Sequence, residues 1–324
     1  MQTLRWLAAG ATVYALAALY ARRSAGRAER RFPPAGEFLS VEGVPLHYVR
    51  QGEGMPVVLL HGSDGFLQDY TLTILDDVAR EFDAIALDRP GHGYSGLPDG
   101  ERATAPVQAR MLHEALAQLG VQRPLLVGHS WSGLLLLVYA WRYPDDVAGM
   151  VLLYPWVSPG RVAEPRLRVL AEPWVSRALH PLFAPMKPLI VRAFVAAAFK
   201  PDSAPPEYAA QAEALWLRTP RQLAATAREN SGNRRALAGF APSRVPAHIP
   251  VTILIGDCDR VTPAGRQALR LASELPNARL IVVPGRGHEL PHTASDVVME
   301  SVRACILALT KAGRCAGAPL PPGR

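Results

Sequence analysis

The stretch that decides the fold is Pro124-Leu-Leu-Val-Gly-His-Ser-Trp-Ser-Gly133. A short apolar run, Leu125–Val127, predicts a buried strand, and the apolar run Leu134–Trp141 is long enough for a helix. Small residues surround Ser130 between them. A serine in a tight strand-to-helix turn needs small neighbours because the strand and the helix close up around it. The pattern predicts a nucleophile elbow at Ser130, and an ordinary turn with a capping serine is the alternative.

The turn departs at one position from the usual Gly-x-Ser-x-Gly spacing. Gly128 stands two residues before Ser130, but Ser132 occupies the place of the second glycine, and Gly133 follows it. Serine is the next smallest polar residue, so we expect the turn to form. The Ser132 side chain bears on how closely the helix can approach the strand.

The composition is that of a globular protein, with 49% hydrophobic and 19% charged residues in 324. The net charge is +7, but five arginines crowd into residues 22–31, and no basic stripe interleaved with aromatic residues follows them. We therefore expect no nucleic-acid partner. Three cysteines without CxxC spacing predict neither a disulfide framework nor a metal site, and no motif predicts a cofactor.

The N-terminal segment, residues 1–36, is predicted to be a membrane anchor with a basic linker. Residues 6–21 carry no charge, and a bilayer-spanning helix needs about 17 residues or more. Only Arg5 precedes this run, and the arginine cluster follows it. The order favours an uncleaved anchor over a cleaved signal peptide or an amphipathic surface helix. The arginines then predict a cytoplasmic position for the rest of the chain, with export after signal-peptide cleavage as the alternative.

Beyond residue 36, strand and helix patterns alternate, which predicts an α/β fold with a mostly parallel central sheet and helices on both faces. A hairpin is predicted over 38–50. Further strands are predicted over 57–60, 83–88, 147–154, 251–255 and 279–283, and helices over 67–82, 103–119, 262–275 and 295–311.

Between the two halves of this pattern the strand signals vanish. Helical segments broken by prolines fill residues 159–242, which predicts a helical cap inserted into the sheet. The core is then formed by residues 37–158 and 243–311. Residues 312–324 are predicted to be a disordered tail.

A serine hydroxyl is a poor nucleophile and needs a base to take its proton and an acid to orient that base. Asp257 and Asp259 follow one predicted strand, and His288 follows the next. The carboxyl ends of parallel strands share one edge of the sheet, so these groups can converge on Ser130.

Four motifs in the right order carry a family resemblance. They are His61-Gly62, Asp88-Arg-Pro-Gly-His-Gly-Tyr-Ser95, the elbow over 128–133, and Gly285-Arg-Gly-His288 with Pro291 after it. Over about residues 37–311 the chain resembles the α/β-hydrolase superfamily, in its serine-hydrolase branch with a helical cap.

The resemblance implies a role for each motif. Ser130 would be the nucleophile, His288 the base and then the acid, and Asp259 the orienting carboxylate. Gly256 before it and Val261-Thr-Pro263 after it favour Asp259 over Asp257, because family members place the acid between such residues. The oxyanion hole would be formed by the backbone N–H groups of Ser63 and Trp131.

A serine at the elbow excludes the family's dehalogenases and epoxide hydrolases, which carry aspartate there. We expect cleavage of a carboxylic ester or thioester through an acyl-enzyme, as in carboxylesterases. The alternatives are an acyltransferase, a C–C bond hydrolase or a cofactor-free perhydrolase, or a non-catalytic binding protein of this fold. Aromatic residues that could line a pocket for a small or medium apolar substrate, or form the core of the cap, are Trp156, Trp174, Phe183 and Trp216.

Overall fold

A computed structural model describes residues 2–63, 65–157, 173–218, 229, 233, 235–259 and 264–313. Eight strands form one sheet in the order β1-β2-β4-β3-β5-β6-β7-β8. They are β1 (Glu37–Val41), β2 (Val44–Gln51), β3 (Pro56–Leu60), β4 (Asp83–Leu87), β5 (Leu125–His129), β6 (Gly149–Leu153), β7 (Val251–Gly256) and β8 (Ala278–Val283).

The described α-helices surround this sheet or lie between its strands along the chain. They are α1 (Gln2–Arg31), α2 (Gln68–Thr71), α3 (Leu75–Ala79), α4 (Ala105–Gln118), α5 (Ser132–Arg142), α6 (Pro173–Phe183), α7 (Lys187–Ala198), α8 (Pro206–Arg218), α9 (Ala264–Glu274), α10 (Leu290–Thr293) and α11 (Ser295–Lys311). Short 3₁₀ turns occupy Pro144–Asp146, Ala184–Met186 and Pro242–Arg244.

The sheet confirms the predicted fold class. β3 to β8 pair in parallel, and only the hairpin β1–β2 and the pair β2–β4 are antiparallel. Every residue of β4, β5 and β6 is buried. A continuous apolar run is what a strand covered on both faces requires, which is why these strands show no alternating pattern.

One predicted helix is wrong in its length. The pattern over 67–82 forms two short helices, α2 and α3, rather than one. The hydroxyl of Thr73 donates to the carbonyl of Asp69, which the Thr73 N–H would use in a continuous helix. That N–H donates to Tyr70 instead, at 3.0 Å, and the helix ends there.

The chain between β6 and β7 contributes α6, α7 and α8, and α1 packs against α6 and α8. Residues 158–172 and most of 219–234 lie outside the described residues, as does the predicted tail from 314. The contact is made by the second half of α1, where Ala21, Ser24 and Ala28 are buried. The first half of α1 exposes its large apolar side chains, including Trp6 (74% exposed), Leu7 (72%) and Leu16 (62%).

Within the described residues, one helical stretch is long and apolar enough to cross a membrane by length and composition. It is Ala178–Ala198, and about a third of its most apolar window is buried. It runs through the end of α6, a 3₁₀ turn and α7. The sequence predicted the apolar span at residues 6–21, so this finding places a second apolar surface where none was expected.

Gly43 and Gly52 share a backbone conformation but differ in how close other backbone atoms lie, so alanine substitutions there separate the cost of crowding from the cost of φ strain. Both have positive φ, +78° and +81°. A Cβ on Gly43 would meet nothing within 4 Å, whereas a Cβ on Gly52 would lie 2.2 Å from the Phe82 carbonyl oxygen. We expect Gly43→Ala to lower the free energy of unfolding by about 1 kcal/mol, from φ strain alone. Gly52→Ala should cost roughly 1–3 kcal/mol more because backbone must move. Urea denaturation measures both, and equal losses would contradict the crowding argument.

Candidate active site

Ser130 lies at the turn between β5 and α5 with φ of +51°, a left-handed conformation that costs a residue with a side chain about 1–2 kcal/mol. The turn is crowded on both sides. A Cβ on Gly128 would lie 2.6 Å from Leu136, and a Cβ on Gly133 would lie 2.5 Å from Pro155. Since strand, helix and the chain after β6 meet here, no larger residue fits at positions 128 and 133. The geometry is that of a nucleophile elbow.

Ser132 fits where a second glycine was expected because Gly128 has no side chain. A Cβ on Gly128 would lie 3.2 Å from the Cβ of Ser132, so two side chains larger than serine could not share this space. The Ser132 hydroxyl donates to the carbonyl of His61 at 2.5 Å. The departure from the usual spacing therefore ties the start of α5 to the loop after β3.

The structure brings Asp259 and His288 together. His288 Nδ1 lies 3.1 Å from Asp259 Oδ2, and their side chains are 7% and 3% exposed. Asp257 is exposed, and its Oδ1 accepts the N–H of Gly285 at 2.6 Å. With Nδ1 directed to a carboxylate, Nε2 of His288 is left for exchanging a proton with a substrate or a nucleophile. Asp259, rather than Asp257, has the geometry of the orienting acid.

Two residues attach His288 to the elbow strand and its neighbour. His129, directly before Ser130, donates from Nε2 to the His288 carbonyl at 3.0 Å. Burial lowers the pKa of His129 to about 3, so the ring stays neutral and adds no charge. Tyr154, at the end of β6, places its ring 5.1 Å from that of His288 and donates its hydroxyl to the Gly256 carbonyl. Tyr154 also has positive φ, a signal that no sequence pattern carries.

The loop after β3 lies directly against the nucleophile. A Cβ on Gly62 would lie 3.1 Å from the Cβ of Ser130. The Gly62 carbonyl accepts from His61 Nδ1 at 2.8 Å and from Arg89 Nη2 at 2.9 Å. His61 Nε2 accepts the Arg89 N–H at 3.0 Å. Burial lowers the pKa of His61 well below its usual value, and the neutral ring can then donate at one nitrogen and accept at the other.

Arg89 belongs to a buried ionic cluster that the sequence did not reveal. Its guanidinium donates to Glu229 Oε1 at 2.5 Å and to Gln108 Oε1 at 2.9 Å, and all three side chains are fully buried. Arg89 stands in a motif that the sequence singled out, but Glu229 stands 140 positions later in the segment between β6 and β7. No local pattern links the two residues.

Two further buried carboxyl groups lie near the triad. Burial raises the pKa of Asp69 to about 7, although Tyr208 donates to it and opposes the shift. Burial also raises the pKa of Glu289 well above its usual value, helped by the negative charges of Asp69 and Asp259. Burial therefore favours the uncharged form of Glu289, and Asp259 is the carboxyl group that contacts His288.

The four aromatic residues predicted for a pocket separate in the structure. Trp156 donates its backbone N–H to the Ser130 carbonyl at 2.8 Å and so lies at the site. Trp216 is buried among Val191, Phe199 and Leu215, in the core of the helical segment. Trp174 and Phe183 are 70% and 47% exposed. For these two the structure does not support a pocket role, because their side chains lie on the outer surface.

Among the described residues, His129, His288 and Glu289 place potential metal-ligand atoms within 4.8 Å of one another. The group is poorly suited to a cation. His129 Nε2 and His288 Nδ1 already have partners, and burial raises the pKa of Glu289, which disfavours its charged form. The chemistry available here is that of a serine, an imidazole and a carboxylate.

Comparisons with known proteins agree with this geometry. A family model described as alpha/beta hydrolase fold matches residues 55–294. A curated protein named as a carbamate hydrolase, RutD from Cronobacter turicensis, is 29% identical over 80% of this chain and 94% of its own. A crystal structure of an alpha/beta hydrolase fold protein from Burkholderia ambifaria superposes with a TM-score of 0.69, at 26% identity over 82% of this chain and 96% of that one. A bacterial membrane phospholipase A superposes with a TM-score of 0.64, at 18% identity over 95% of this chain and 97% of that one.

The raised pKa of Asp69 makes a pH-dependent contribution to stability. The folded protein holds the Asp69 proton up to about pH 7, whereas the unfolded chain releases it near the ordinary aspartate pKa of 3.8. The contribution is fully present below pH 4 and is lost as pH rises to 7. The difference in unfolding free energy between wild type and Asp69→Asn should therefore shift against wild type by up to roughly 3 kcal/mol from pH 5 to pH 8.

Urea denaturation at several pH values measures this difference. Asp145→Asn, a substitution at an exposed aspartate, should give a difference that does not change with pH. An equally flat difference for Asp69→Asn would contradict the assignment.

Proposed function

Because the chain belongs to the α/β-hydrolase family, we propose that it is a serine hydrolase that cleaves a carboxylic ester or thioester through an acyl-enzyme on Ser130. The observation that carries the proposal is the pairing of His288 with Asp259, at 3.1 Å, beside a serine held at positive φ. A serine that only caps a helix needs neither a nearby histidine–carboxylate pair nor a positive φ.

In this mechanism the Ser130 hydroxyl attacks the substrate carbonyl carbon while His288 Nε2 takes its proton, and the Asp259 carboxylate stabilises the resulting imidazolium. The carbonyl oxygen becomes an oxyanion that accepts hydrogen bonds from the backbone N–H groups of Ser63 and Trp131. His288 then gives its proton to the leaving alcohol or thiol. Water, deprotonated by His288, attacks the acyl-enzyme and releases the acid and Ser130. Loss of one oxyanion donor typically costs ~10²–10³ in rate.

Two observations bear on the substrate. Trp156 lies next to the elbow, and the ring of Tyr154 lies 5.1 Å from that of His288. Aromatic side chains beside the site suit a small or medium apolar acyl group. The match to the relative named as a carbamate hydrolase covers 94% of that relative's length. A carbamate is therefore a second candidate substrate. Its carbonyl carbon would meet the same nucleophile and oxyanion donors. Transfer of the acyl group to an acceptor other than water, including peroxide, would use the same acyl-enzyme.

We also propose that α1 tethers the enzyme to a membrane through residues 6–21. This stretch is about 24 Å long as a helix, at the short end for a hydrocarbon core of about 30 Å. The second half of α1 packs on α6 and α8, so the apolar half projects from the helical segment. The arginines of residues 22–31 would lie at the headgroups and favour the cytoplasmic leaflet.

The outer face of α6 and α7 belongs to the helical segment on which α1 packs. It exposes Leu182, Phe183, Met186, Leu189, Ile190 and Phe194, each by 44% or more. The stretch Ala178–Ala198 is interrupted by a 3₁₀ turn and contains Pro181, Pro185 and Pro188. We therefore propose that it lies on the membrane rather than crossing it.

Labelling with a fluorophosphonate probe tests the hydrolase proposal. Wild type should be labelled and should hydrolyse short-chain aryl esters. Ser130→Ala should lose labelling, and both Ser130→Ala and His288→Ala should lose turnover by roughly 10⁴-fold or more. Asp259→Asn should lose far more turnover than Asp257→Asn, because only Asp259 contacts His288. Labelling that survives Ser130→Ala would refute the assignment.

Flotation with vesicles of phosphatidylcholine and phosphatidylglycerol tests the membrane proposal. Wild type should float with the vesicles, Leu7→Glu with Leu16→Glu should abolish flotation, and Leu189→Glu with Ile190→Glu should weaken it. The control is Leu269→Glu on α9, where a leucine is 53% exposed outside α1 and the helical segment. Equal flotation of all variants, or a wild type that does not float, would contradict the proposal.

A further inference from the structure

The buried charge of Glu229 lies beneath the two residues that supply the oxyanion hole. Ser63 Oγ donates to Glu229 Oε2 at 3.3 Å. Glu229 Oε1 accepts from Arg89 at 2.5 Å and from Gln108 at 3.0 Å. The Arg89 guanidinium lies 4.5 Å above the Trp131 ring. Glu229 thus contacts Ser63, and Arg89 contacts Trp131.

The contact of Arg89 with Gly62 bears directly on the Ser63 N–H. The Gly62 carbonyl and the Ser63 N–H belong to one planar trans peptide, so they point in opposite directions. Arg89 Nη2 and His61 Nδ1 donate to that carbonyl at 2.9 and 2.8 Å, which fixes the direction of the N–H. Donors on the carbonyl oxygen also polarise the peptide and strengthen its N–H as a donor.

Arg89 can hold this position only with a counterion. A guanidinium does not lose its proton in proteins, and a buried charge without a partner is strongly destabilising. Arg89 and Glu229 are both 0% exposed, and Glu229 is the carboxylate paired with Arg89. Glu229 comes from the segment between β6 and β7, whereas Gly62, Ser63 and Arg89 come from the core.

We propose that Glu229 is a positioning residue that sets the oxyanion hole through Arg89 and the Gly62–Ser63 peptide. The inference rests on the proposed hydrolase function and connects the helical segment to the oxyanion donors. Correct seating of the helical segment, which should bind substrate, assembles the donors that stabilise the transition state. The effect then falls on the chemical step more than on substrate binding.

Asn233 provides a matched control. It is 1% exposed, belongs to the same segment, and accepts the Ala105 N–H at 2.8 Å. It therefore fastens the segment to α4, as Glu229 does through Gln108, whereas the contacts with Ser63 and Arg89 belong to Glu229. Substituting Asn233 should loosen the segment and leave the Gly62–Ser63 peptide in place.

The test compares Glu229→Gln with Asn233→Ala by ester hydrolysis, thermal unfolding and inhibition by a boronic acid, which forms a tetrahedral adduct with an active-site serine. Glu229→Gln should lower kcat roughly 10- to 100-fold with KM changed less than about threefold. Boronic acid affinity should fall in proportion to kcat/KM. Asn233→Ala should lower the Tm by a similar amount and keep kcat within about threefold.

A Glu229→Gln enzyme with unchanged kcat, or equal losses of kcat in both variants, would overturn the positioning role. If Glu229→Gln does not fold, Ser63→Ala removes only the Ser63 hydroxyl contact and should still lower kcat several-fold, and an unchanged kcat would count against the proposal. Each rate in this test is the part of the turnover that depends on Ser130, measured by comparison with Ser130→Ala. Turnover that survives Ser130→Ala refutes the hydrolase function, and the positioning role with it. Ser130-dependent turnover that Glu229→Gln leaves intact refutes the positioning role alone.

Discussion

The crowded turn at Ser130 is the constraint on which the rest of the site depends. A strand, a helix and the chain after β6 converge there, and the clearances around Gly128 and Gly133 leave no room for larger residues. Ser130 accepts positive φ because its backbone is held from three sides. Its N–H donates to Leu153, and its carbonyl accepts from Gly133 and Trp156. The strain is stored locally and balanced by packing of the fully buried central strands, which lets the serine side chain stand clear of the sheet edge.

Burial controls which groups near this serine carry charge. It lowers the pKa of His61, His92 and His129, and it raises the pKa of Asp69 and Glu289. Burial thus favours the uncharged form of each of these groups. Asp259 lies against His288, and Arg89 pairs with Glu229 beside the loop after β3.

The segment between β6 and β7 contributes both to the core and to the surface of the protein. Its inner side sends Glu229 into the core, where the carboxylate is fully buried against Arg89. Its outer side carries the exposed apolar residues of α6 and α7 and packs against α1.

The sequence by itself determined the fold class, the elbow and the residues available for a triad. Those features follow from local patterns: continuous apolar strands, small residues around Ser130, and Asp259 and His288 after successive strands. It could not decide between Asp257 and Asp259 without the family pattern, and it did not indicate that Trp174 and Phe183 would be exposed. Only the tertiary structure paired Asp259 with His288 and joined Arg89 to Glu229 across 140 positions. Which side chains meet depends on how distant segments pack, and the burial that sets their charges exists only once the chain is folded.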